Sequence, residues 1–174
     1  MKQVLIIGRF QPLCKNHVQL FNQAKELGDI LLVGVGQPNY ELAKEKLEKK
    51  AYESYSLSYI FEYERVKSWI DNSLIDYCHS VKPVADIFNK YLYQKHVESI
   101  FGITGAILLG ENECTYSCFN PINYEIIISS NIKYHASEVR KEILSTGFSN
   151  KAAFKLSSEE TGKIIKAELL RTLL

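Results

Sequence analysis

Short apolar runs alternate along this chain with segments in which apolar residues recur at helical spacing. Four runs are rich in branched residues, which predicts buried strands at residues 4–7, 30–35, 106–109 and 125–128. Residues 81–84 predict a weaker strand, because Pro83 has no backbone N–H for pairing. The first strand, helix and strand follow one another within about 35 residues, the length of a βαβ unit. The pattern therefore predicts one α/β domain over 1–174, with a central parallel sheet and helices on both faces.

The predicted helices lie between these strands. After Asn16, a residue that can cap a helix, apolar positions recur every three or four residues until Gly28 ends the pattern. The tyrosine-rich segment 51–63 favours neither helix nor strand. A capping box at Ser157 begins the last predicted helix. Helical spacing predicts the others over 41–50, 61–70, 86–101 and 157–173, with one more from Ser137.

Composition places the chain among globular proteins, with 46% hydrophobic and 24% charged residues. The formal net charge is +1, so the basic surplus of duplex-binding domains is absent and no nucleic-acid partner is expected. The apolar run after Met1 is too short for a secretory signal, and no run approaches the roughly 20 residues of a membrane helix. We therefore expect a cytoplasmic protein without a membrane partner, its four cysteines reduced.

The loop at residues 8–17, with the sequence GRFQPLCKNH, carries the strongest chemical signal. Gly8 permits a sharp turn and close approach of the backbone to a ligand. The loop runs from the end of a strand to the start of a helix, where free N–H groups and the helix dipole favour an anion. His17 lies on the first helical turn and could donate to a phosphate oxygen. A lone histidine there is more often an ordinary surface residue, but the preceding residues change that balance.

This loop resembles the signature of the HxGH nucleotidyltransferase superfamily. Its Arg-Phe-Gln-Pro form is similar to that of the archaeal-type nicotinamide-nucleotide adenylyltransferases, which join ATP and nicotinamide mononucleotide to give NAD and pyrophosphate. Two positions depart from the signature, since Cys14 replaces His or Thr and Asn16 replaces Gly. A thiol is the weaker donor, so the resemblance implies slow catalysis and predicts that Cys14→His raises the rate. The matching residues are Gly8, Phe10, Gln11, Pro12 and His17.

A second match lies at residues 134–140, with the sequence YHASEVR. It resembles the family's Ser-Gly-Thr-Glu-Ile/Val-Arg helix start, with Ser137 and Arg140 at the hydroxyl and arginine positions. A capping hydroxyl and an arginine one turn later could hold triphosphate oxygens. Taken alone, Ser-x-x-Arg is a common solvated pattern, and His135 and Ala136 depart from the family's Ser and Gly.

Weaker matches follow in family order between these two motifs. Residues 61–66 are similar to the family's Phe-Thr-x-x-Glu-Arg, although a Glu-Arg pair on an exposed helix explains them equally well. Residues 83–97 resemble a stretch in which Tyr93 falls where those enzymes carry a tryptophan that stacks on nicotinamide, although packing alone would also suit it. Residues 110–112 resemble a Gly-Asn loop at the sheet edge where open α/β sheets bind ligands.

The resemblance implies a Rossmann-like nucleotidyltransferase domain that acts in NAD biosynthesis. Mg²⁺ is expected to enter with ATP, with no metal site of the protein's own, and we expect a homo-oligomer. The implied catalytic residues are His17, Lys15 and Arg140. The implied ATP and phosphate contacts are Gly8, Arg9, Phe10, Gln11, Cys14 and Ser137. The implied mononucleotide contacts are Tyr93, Asp86, Gly110 and Asn112.

Three other interpretations stay open. The chain could be another member of the superfamily, such as a cytidylyltransferase or a phosphopantetheine adenylyltransferase. It could be a degenerate domain that binds ATP or NAD as a sensor, or one half of an enzyme fused to a Nudix hydrolase. Cys114 and Cys118 lack the second pair that a zinc site usually needs, and Cys14 lacks an identifiable base for thiol chemistry.

Overall fold

The computed structural model describes residues 1–56, 58–111, 116–129 and 136–139. Within them, strands and helices alternate much as the apolar pattern predicts. The strands are β1 (Gln3–Gly8), β2 (Ile30–Gln37), β3 (His79–Ala85), β4 (Ala106–Gly110) and β5 (Tyr124–Ile128). The helices are α1 (Lys15–Leu27), α2 (Tyr40–Lys46), α3 (Lys49–Ser56), α4 (Tyr63–Ser73) and α5 (Lys90–Phe101). Residues 136–139 are also helical.

The five strands form one sheet in the order β3-β2-β1-β4-β5. All four pairings are parallel, which confirms the predicted sheet. From β1 the chain first adds β2 and β3 on one side, and later adds β4 and β5 on the other. The strand order therefore reverses between β1 and β4, and the carboxyl ends of such a pair border the usual ligand crevice of an open α/β sheet.

Apolar side chains project from both faces of the sheet and pack against helices. On one face, Val4 and Ile6 of β1 belong to a buried cluster with Phe21 of α1 and Trp69 of α4. On the other, Leu5 packs in a second cluster with residues of α5. Because successive strand residues point to opposite faces, an uninterrupted apolar run requires cover on both sides. The prediction of helices on both faces is confirmed.

Several boundaries differ from the sequence prediction for local reasons. Pro83 does not break β3, because β3 is an edge strand and needs no N–H there. The single helix expected over 41–50 is wrong, since Leu47 is extended and separates α2 from α3. Cys14, not Asn16, occupies the N-cap of α1. The helix begun at Asp86 in the prediction starts at Lys90, because the Asn89 side chain accepts from the N–H groups of the first turn.

Two predicted features cannot be compared with the structure. The helix expected over 157–173, and the continuation past residue 139 of the helix that starts near Ser137, lie outside the described residues. Among the helices that the described residues form, none has the length and apolar character to cross a membrane.

Candidate functional site

A cavity of about 370 Å³ opens where the carboxyl ends of β1 and β4 diverge. We call it the first cavity. It brings together parts of the chain that lie far apart in sequence, including both predicted phosphate-binding motifs. Its lining residues are Ile6, Ile7, Gly8, Arg9, Phe10, His17, Leu20, Gly36, Tyr59, Asp86, Tyr93, Gly110, Glu111, Tyr116, Ala136 and Ser137.

Gly8 and Phe10 shape the turn that leaves β1. The turn is made by Phe10, whose backbone is left-handed with φ 53°, so the sharp turn predicted at Gly8 lies two residues later. The ring of Phe10 folds back over Gly8, where a Cβ would lie 3.1 Å from Phe10 Cζ. Gly8 is therefore required by the packing of Phe10, and a left-handed phenylalanine in a site is a form of stored strain typical of functional loops.

His17 is held in one orientation by the start of α1. The backbone N–H of Cys14 donates to His17 Nδ1 at 2.9 Å, and the imidazole packs edge-on against the Phe10 ring at a centroid distance of 5.0 Å. Because Nδ1 accepts this hydrogen bond, the proton of the neutral imidazole is on Nε2. His17 thus lines the first cavity as an oriented N–H donor, which suits contact with an anion.

Gln11 is not among the residues that line the first cavity, and its phosphate contact stays a prediction. Its side chain is buried and spans to the segment before α4. Gln11 Oε1 accepts from the N–H groups of Ile60 at 2.6 Å and Phe61 at 2.9 Å, and Gln11 Nε2 donates to the Phe61 carbonyl at 3.0 Å. The amide therefore joins the loop after β1 to the segment before α4 through these three hydrogen bonds.

Cys14 and Lys15 are also absent from the cavity lining. The Cys14 side chain is fully buried, and its thiol donates to the Pro12 carbonyl at 3.4 Å. Lys15 precedes His17 by two helical positions, which turns its side chain about 200° away around the helix axis. Of these two helix residues, His17 lines the first cavity and Lys15 does not.

Arg9, Tyr59 and Asp86 form a contact group, the junction cluster, at the mouth of the first cavity. The Tyr59 hydroxyl donates to Asp86 Oδ2 at 2.7 Å, and the Arg9 guanidinium lies 5.3 Å from the centroid of the Tyr59 ring. Burial and the neighbouring Asp86 carboxylate raise the pKa of Tyr59, so its hydroxyl stays protonated and remains the donor. The cluster joins the β1 loop, the segment before α4 and the end of β3.

A second cavity of about 780 Å³ lies beyond the junction cluster. It shares Arg9, Asp86 and Tyr93 with the first cavity, and one of its walls comes from the α2–α3 region. Its lining is rich in aromatic rings, including Tyr55 and Phe88, whose ring centroids are 5.4 Å apart. The other lining residues are Leu47, Ala51, Ser54, Ser58, Ile87, Asn89, Lys90 and Cys118.

Tyr93 and Phe88 present aromatic surface at this second cavity. Tyr93 borders both cavities and packs edge-on against Phe119, with centroids 6.1 Å apart. Burial raises the pKa of Tyr93, which keeps its hydroxyl neutral. Phe88 has a left-handed backbone with φ 48° and is 37% exposed, an unusual combination for a large apolar residue. Strained backbone positions of this kind cluster at ligand sites, so Phe88 is a candidate for ligand contact.

Tyr116 closes the floor of the first cavity at the point where β1 and β4 separate. Its hydroxyl donates to the Leu109 carbonyl at 2.7 Å and also hydrogen-bonds the Ile7 backbone. The ring covers Gly110, where a Cβ would overlap it. Gly110 therefore lines the cavity as predicted by its place in the loop, while its lack of a side chain makes room for Tyr116.

Of the residues predicted from sequence, eight line the first cavity: Gly8, Arg9, Phe10, His17, Ser137, Asp86, Tyr93 and Gly110. Asn112 and Arg140 lie outside the described residues, as does Cys114 of the disfavoured zinc pair. Sequence reasoning missed Tyr59, Glu111 and Tyr116 as lining residues. The tyrosine-rich composition of 51–63 was the only available signal for Tyr59, and it did not indicate which ring would reach the site.

The fold and the crevice together define a class, a parallel α/β domain with an anion-compatible site at its topological switch point. Within that class, the chain belongs to the cytidylyltransferase-like family, whose model matches residues 5–141. The superfamily predicted from the first loop is thereby confirmed.

Two curated relatives match part of the chain. The glycerol-3-phosphate cytidylyltransferase of Bacillus subtilis (strain 168) is 35% identical over 77 residues, covering 40% of this chain and 57% of the relative. The enzyme of the same name from Bacillus spizizenii (strain ATCC 23059 / NRRL B-14472 / W23) is 38% identical over 53 residues, covering 30% of this chain and 41% of the relative. The chain thus spans about half the length of these relatives.

Solved structures match nearly the whole chain. A bifunctional NMN adenylyltransferase/ADP ribose pyrophosphatase from Francisella tularensis, complexed with AMP and a manganese ion, is similar with a TM-score of 0.62 and 16% identity. A second structure of that bifunctional protein gives a TM-score of 0.60. Each match covers 99% of this chain and 54% of the other. At this identity, the likeness establishes the fold.

Proposed function

We propose that this chain transfers the adenylyl group of ATP to nicotinamide mononucleotide, giving NAD and pyrophosphate. The observation that carries the proposal is the joined pair of cavities. The first cavity is small and combines an oriented histidine N–H with the helical residues Ala136 and Ser137. The second is larger, aromatic and bordered by the Asp86 carboxylate. One pair of sites thus offers contacts for a triphosphate and for a flat cationic ring.

The triphosphate would occupy the first cavity. The acceptor phosphate attacks the α-phosphorus of ATP, the bond to the β-phosphate oxygen breaks, and pyrophosphate leaves without a covalent enzyme intermediate. The protein contributes by positioning the reactants and by neutralising charge. His17 Nε2–H would donate to a phosphate oxygen as negative charge accumulates, and Arg9 would contribute the nearby positive charge. Arg140 and Lys15 remain predictions from the family motif.

The acceptor would place its ring in the second cavity. The ring of nicotinamide mononucleotide carries a positive charge, and aromatic faces attract cations. Tyr93 and Phe88 supply such faces, while Asp86 supplies a countercharge at the border of both cavities. The acceptor phosphate would then lie near the junction cluster, directed toward the first cavity.

Mg²⁺ would enter as part of the MgATP substrate. The side chain of Glu111 lines the first cavity together with Asp86, and two carboxylates would repel a bare triphosphate. A divalent cation on the phosphate oxygens removes that repulsion, and magnesium in nucleotide sites is typically held by phosphates and one or two carboxylates. Glu111 is therefore the described residue best suited to contact the ion.

Cytidylyl transfer to glycerol 3-phosphate is the second candidate, because both curated relatives carry that name. Those matches cover less than half of this chain. Glycerol 3-phosphate has no ring, so it would leave the aromatic cavity of about 780 Å³ largely unfilled. The size and composition of the second cavity favour the nucleotide acceptor.

The proposal is tested by pairing two donors, ATP and CTP, with three acceptors: nicotinamide mononucleotide, glycerol 3-phosphate and phosphopantetheine. Pyrophosphate release is followed with Mg²⁺ present, and the product is identified by mass spectrometry. We expect turnover with ATP and nicotinamide mononucleotide and formation of NAD. Preferred turnover with CTP and glycerol 3-phosphate would overturn the assignment.

Thermal denaturation of the same protein distinguishes an enzyme from a domain that only binds nucleotides. A ligand that binds only the folded state raises the melting temperature by mass action. If ATP or NAD raises it while pyrophosphate release stays at background with every acceptor, the chain is a nucleotide-binding domain without catalysis.

A further inference from the structure

Tyr59 occupies the point at which the two cavities meet. Its hydroxyl donates to Asp86, which borders both cavities, and its ring stacks beneath the Arg9 guanidinium, which also borders both. Gly36 of β2 lies beside both side chains, since its Cβ position is 3.7 Å from Tyr59 Oη and 3.5 Å from Arg9 Cγ, within ordinary van der Waals contact. One tyrosine thus contacts both a carboxylate and a guanidinium at the site.

The backbone around Tyr59 is anchored on both sides. Before it, the Ser58 hydroxyl donates to the Ser54 carbonyl at 2.9 Å, and the Tyr59 N–H donates to the Ser56 carbonyl at 3.2 Å. After it, the Gln11 amide makes its three hydrogen bonds to the backbone of Ile60 and Phe61. The motif residue Gln11 therefore acts on the site indirectly, because it fixes the loop that presents Tyr59.

We propose that Tyr59 is a positioning residue that holds the Asp86 carboxylate toward the acceptor and the Arg9 guanidinium toward the nucleotide phosphates. The inference rests on the proposed function and deepens it, because it assigns acceptor recognition to a residue outside the family motifs. The class of ligand is an acceptor mononucleotide whose ring carries a positive charge.

The hydroxyl and the ring of Tyr59 make different contacts, so their contributions can be separated. A hydrogen bond to a carboxylate orients the charge and restricts its rotamers. The face of a tyrosine ring attracts a guanidinium whether or not the ring carries a hydroxyl. Removing the hydroxyl should therefore affect Asp86 alone, whereas removing the ring should affect Arg9 as well.

Three variants test this division. For Tyr59→Phe we expect KM and the calorimetric Kd for nicotinamide mononucleotide to rise roughly tenfold, the loss typical of a hydrogen bond to a charged group. The KM for ATP and kcat should stay unchanged. Tyr59→Leu should raise the KM for ATP as well. The matched control is Tyr63→Phe, which loses a hydroxyl bonded to the Val81 carbonyl at 3.0 Å outside both cavity linings, and it should change none of these constants.

A double-mutant cycle identifies the partner. If Tyr59 acts through Asp86, then Tyr59→Phe adds no further loss of mononucleotide binding in an Asp86→Ala background. Equal effects of Tyr59→Phe and Tyr63→Phe, or independent losses in the cycle, would overturn the inference while leaving adenylyl transfer intact. Wild-type binding of the mononucleotide without turnover would overturn the proposed activity alone, and absence of both would overturn both proposals.

Discussion

The two cavities share Arg9, Asp86 and Tyr93, yet they are built in different ways. The first is formed by strand ends and helix starts, and its contacts come largely from backbone geometry and from His17. The second is formed by aromatic side chains from the α2–α3 region and the segment that precedes α5. The first cavity thus depends on the sheet, while the second depends on how the α2–α3 region packs beside it.

This difference bears on how each cavity can change during evolution. A site made of strand ends and backbone N–H groups is tied to the fold, because it changes only if the sheet itself changes. A wall made of side chains can be replaced without altering the sheet. We infer that the first cavity serves the step common to the family and that the second cavity selects the acceptor.

The largest expected effect is a loss of kcat when His17 of the first cavity is replaced. Replacement of His17 by Ala should lower kcat roughly 10²–10³-fold, or about 3–4 kcal/mol in the barrier, because one donor to the developing charge is lost. ATP affinity should change little, since the contact strengthens as pyrophosphate departs. Steady-state kinetics with ATP and nicotinamide mononucleotide would measure both.

The control for this variant is His79→Ala at the opposite end of the sheet. His79 starts β3 and contacts Asp71 at 3.1 Å, so its loss should lower stability without changing kcat. Full activity in His17→Ala would remove this histidine from the mechanism.

The next test concerns the departure from the family signature. The sequence alone predicts that Cys14→His accelerates transfer, but the Cys14 side chain is fully buried and directed at the Pro12 carbonyl. A larger ring in that space should cost about 1–3 kcal/mol of unfolding free energy and give no gain in kcat. Urea denaturation and kinetics of Cys14→His, with Cys14→Ser as the control of similar size, distinguish the two expectations. A stable and faster Cys14→His enzyme would show that the thiol does face the phosphates.

A smaller effect is expected at the floor of the first cavity. Tyr116→Phe keeps the ring that covers Gly110 but leaves buried backbone groups of Leu109 and Ile7 without the hydroxyl. The unfolding free energy should fall by about 1–2 kcal/mol, the usual cost of an unsatisfied buried group. Chemical denaturation of Tyr91→Phe, whose side chain is 81% exposed, should show no comparable change.

The smallest expected effect is on the stability of the protein at alkaline pH, through Tyr55 of the second cavity. Burial raises the pKa of Tyr55 to about 12, above the value of about 10 expected in the unfolded chain. The stabilisation from its neutral hydroxyl is complete below the unfolded pKa and is lost as the pH rises through the folded one. Between about pH 10 and pH 12 the stability of the wild type should therefore fall more steeply than that of Tyr55→Phe. Identical slopes in denaturation across that range would place the Tyr55 hydroxyl in a solvated setting.

The sheet and the signature loop at residues 8–17 could both be predicted from the sequence. Apolar runs such as 106–109 predict buried strands because a strand covered on both faces leaves a local, uninterrupted pattern. The Gly8–His17 loop was recognisable for a similar reason, since the residues that match the family signature lie within ten consecutive positions.

The contacts of the individual side chains could not be read from the sequence. Gln11 has the family's identity but reaches Phe61, 50 residues away, and Tyr59 reaches Asp86, 27 residues away. No periodic pattern or motif spacing in the sequence indicates either contact. Both depend on which loops the strand order β3-β2-β1-β4-β5 brings to one edge of the sheet. In the second cavity, Tyr93 and Asp86 were predicted from the family resemblance, whereas Tyr55 and Phe88 were not, since their rings meet only after the sheet has formed.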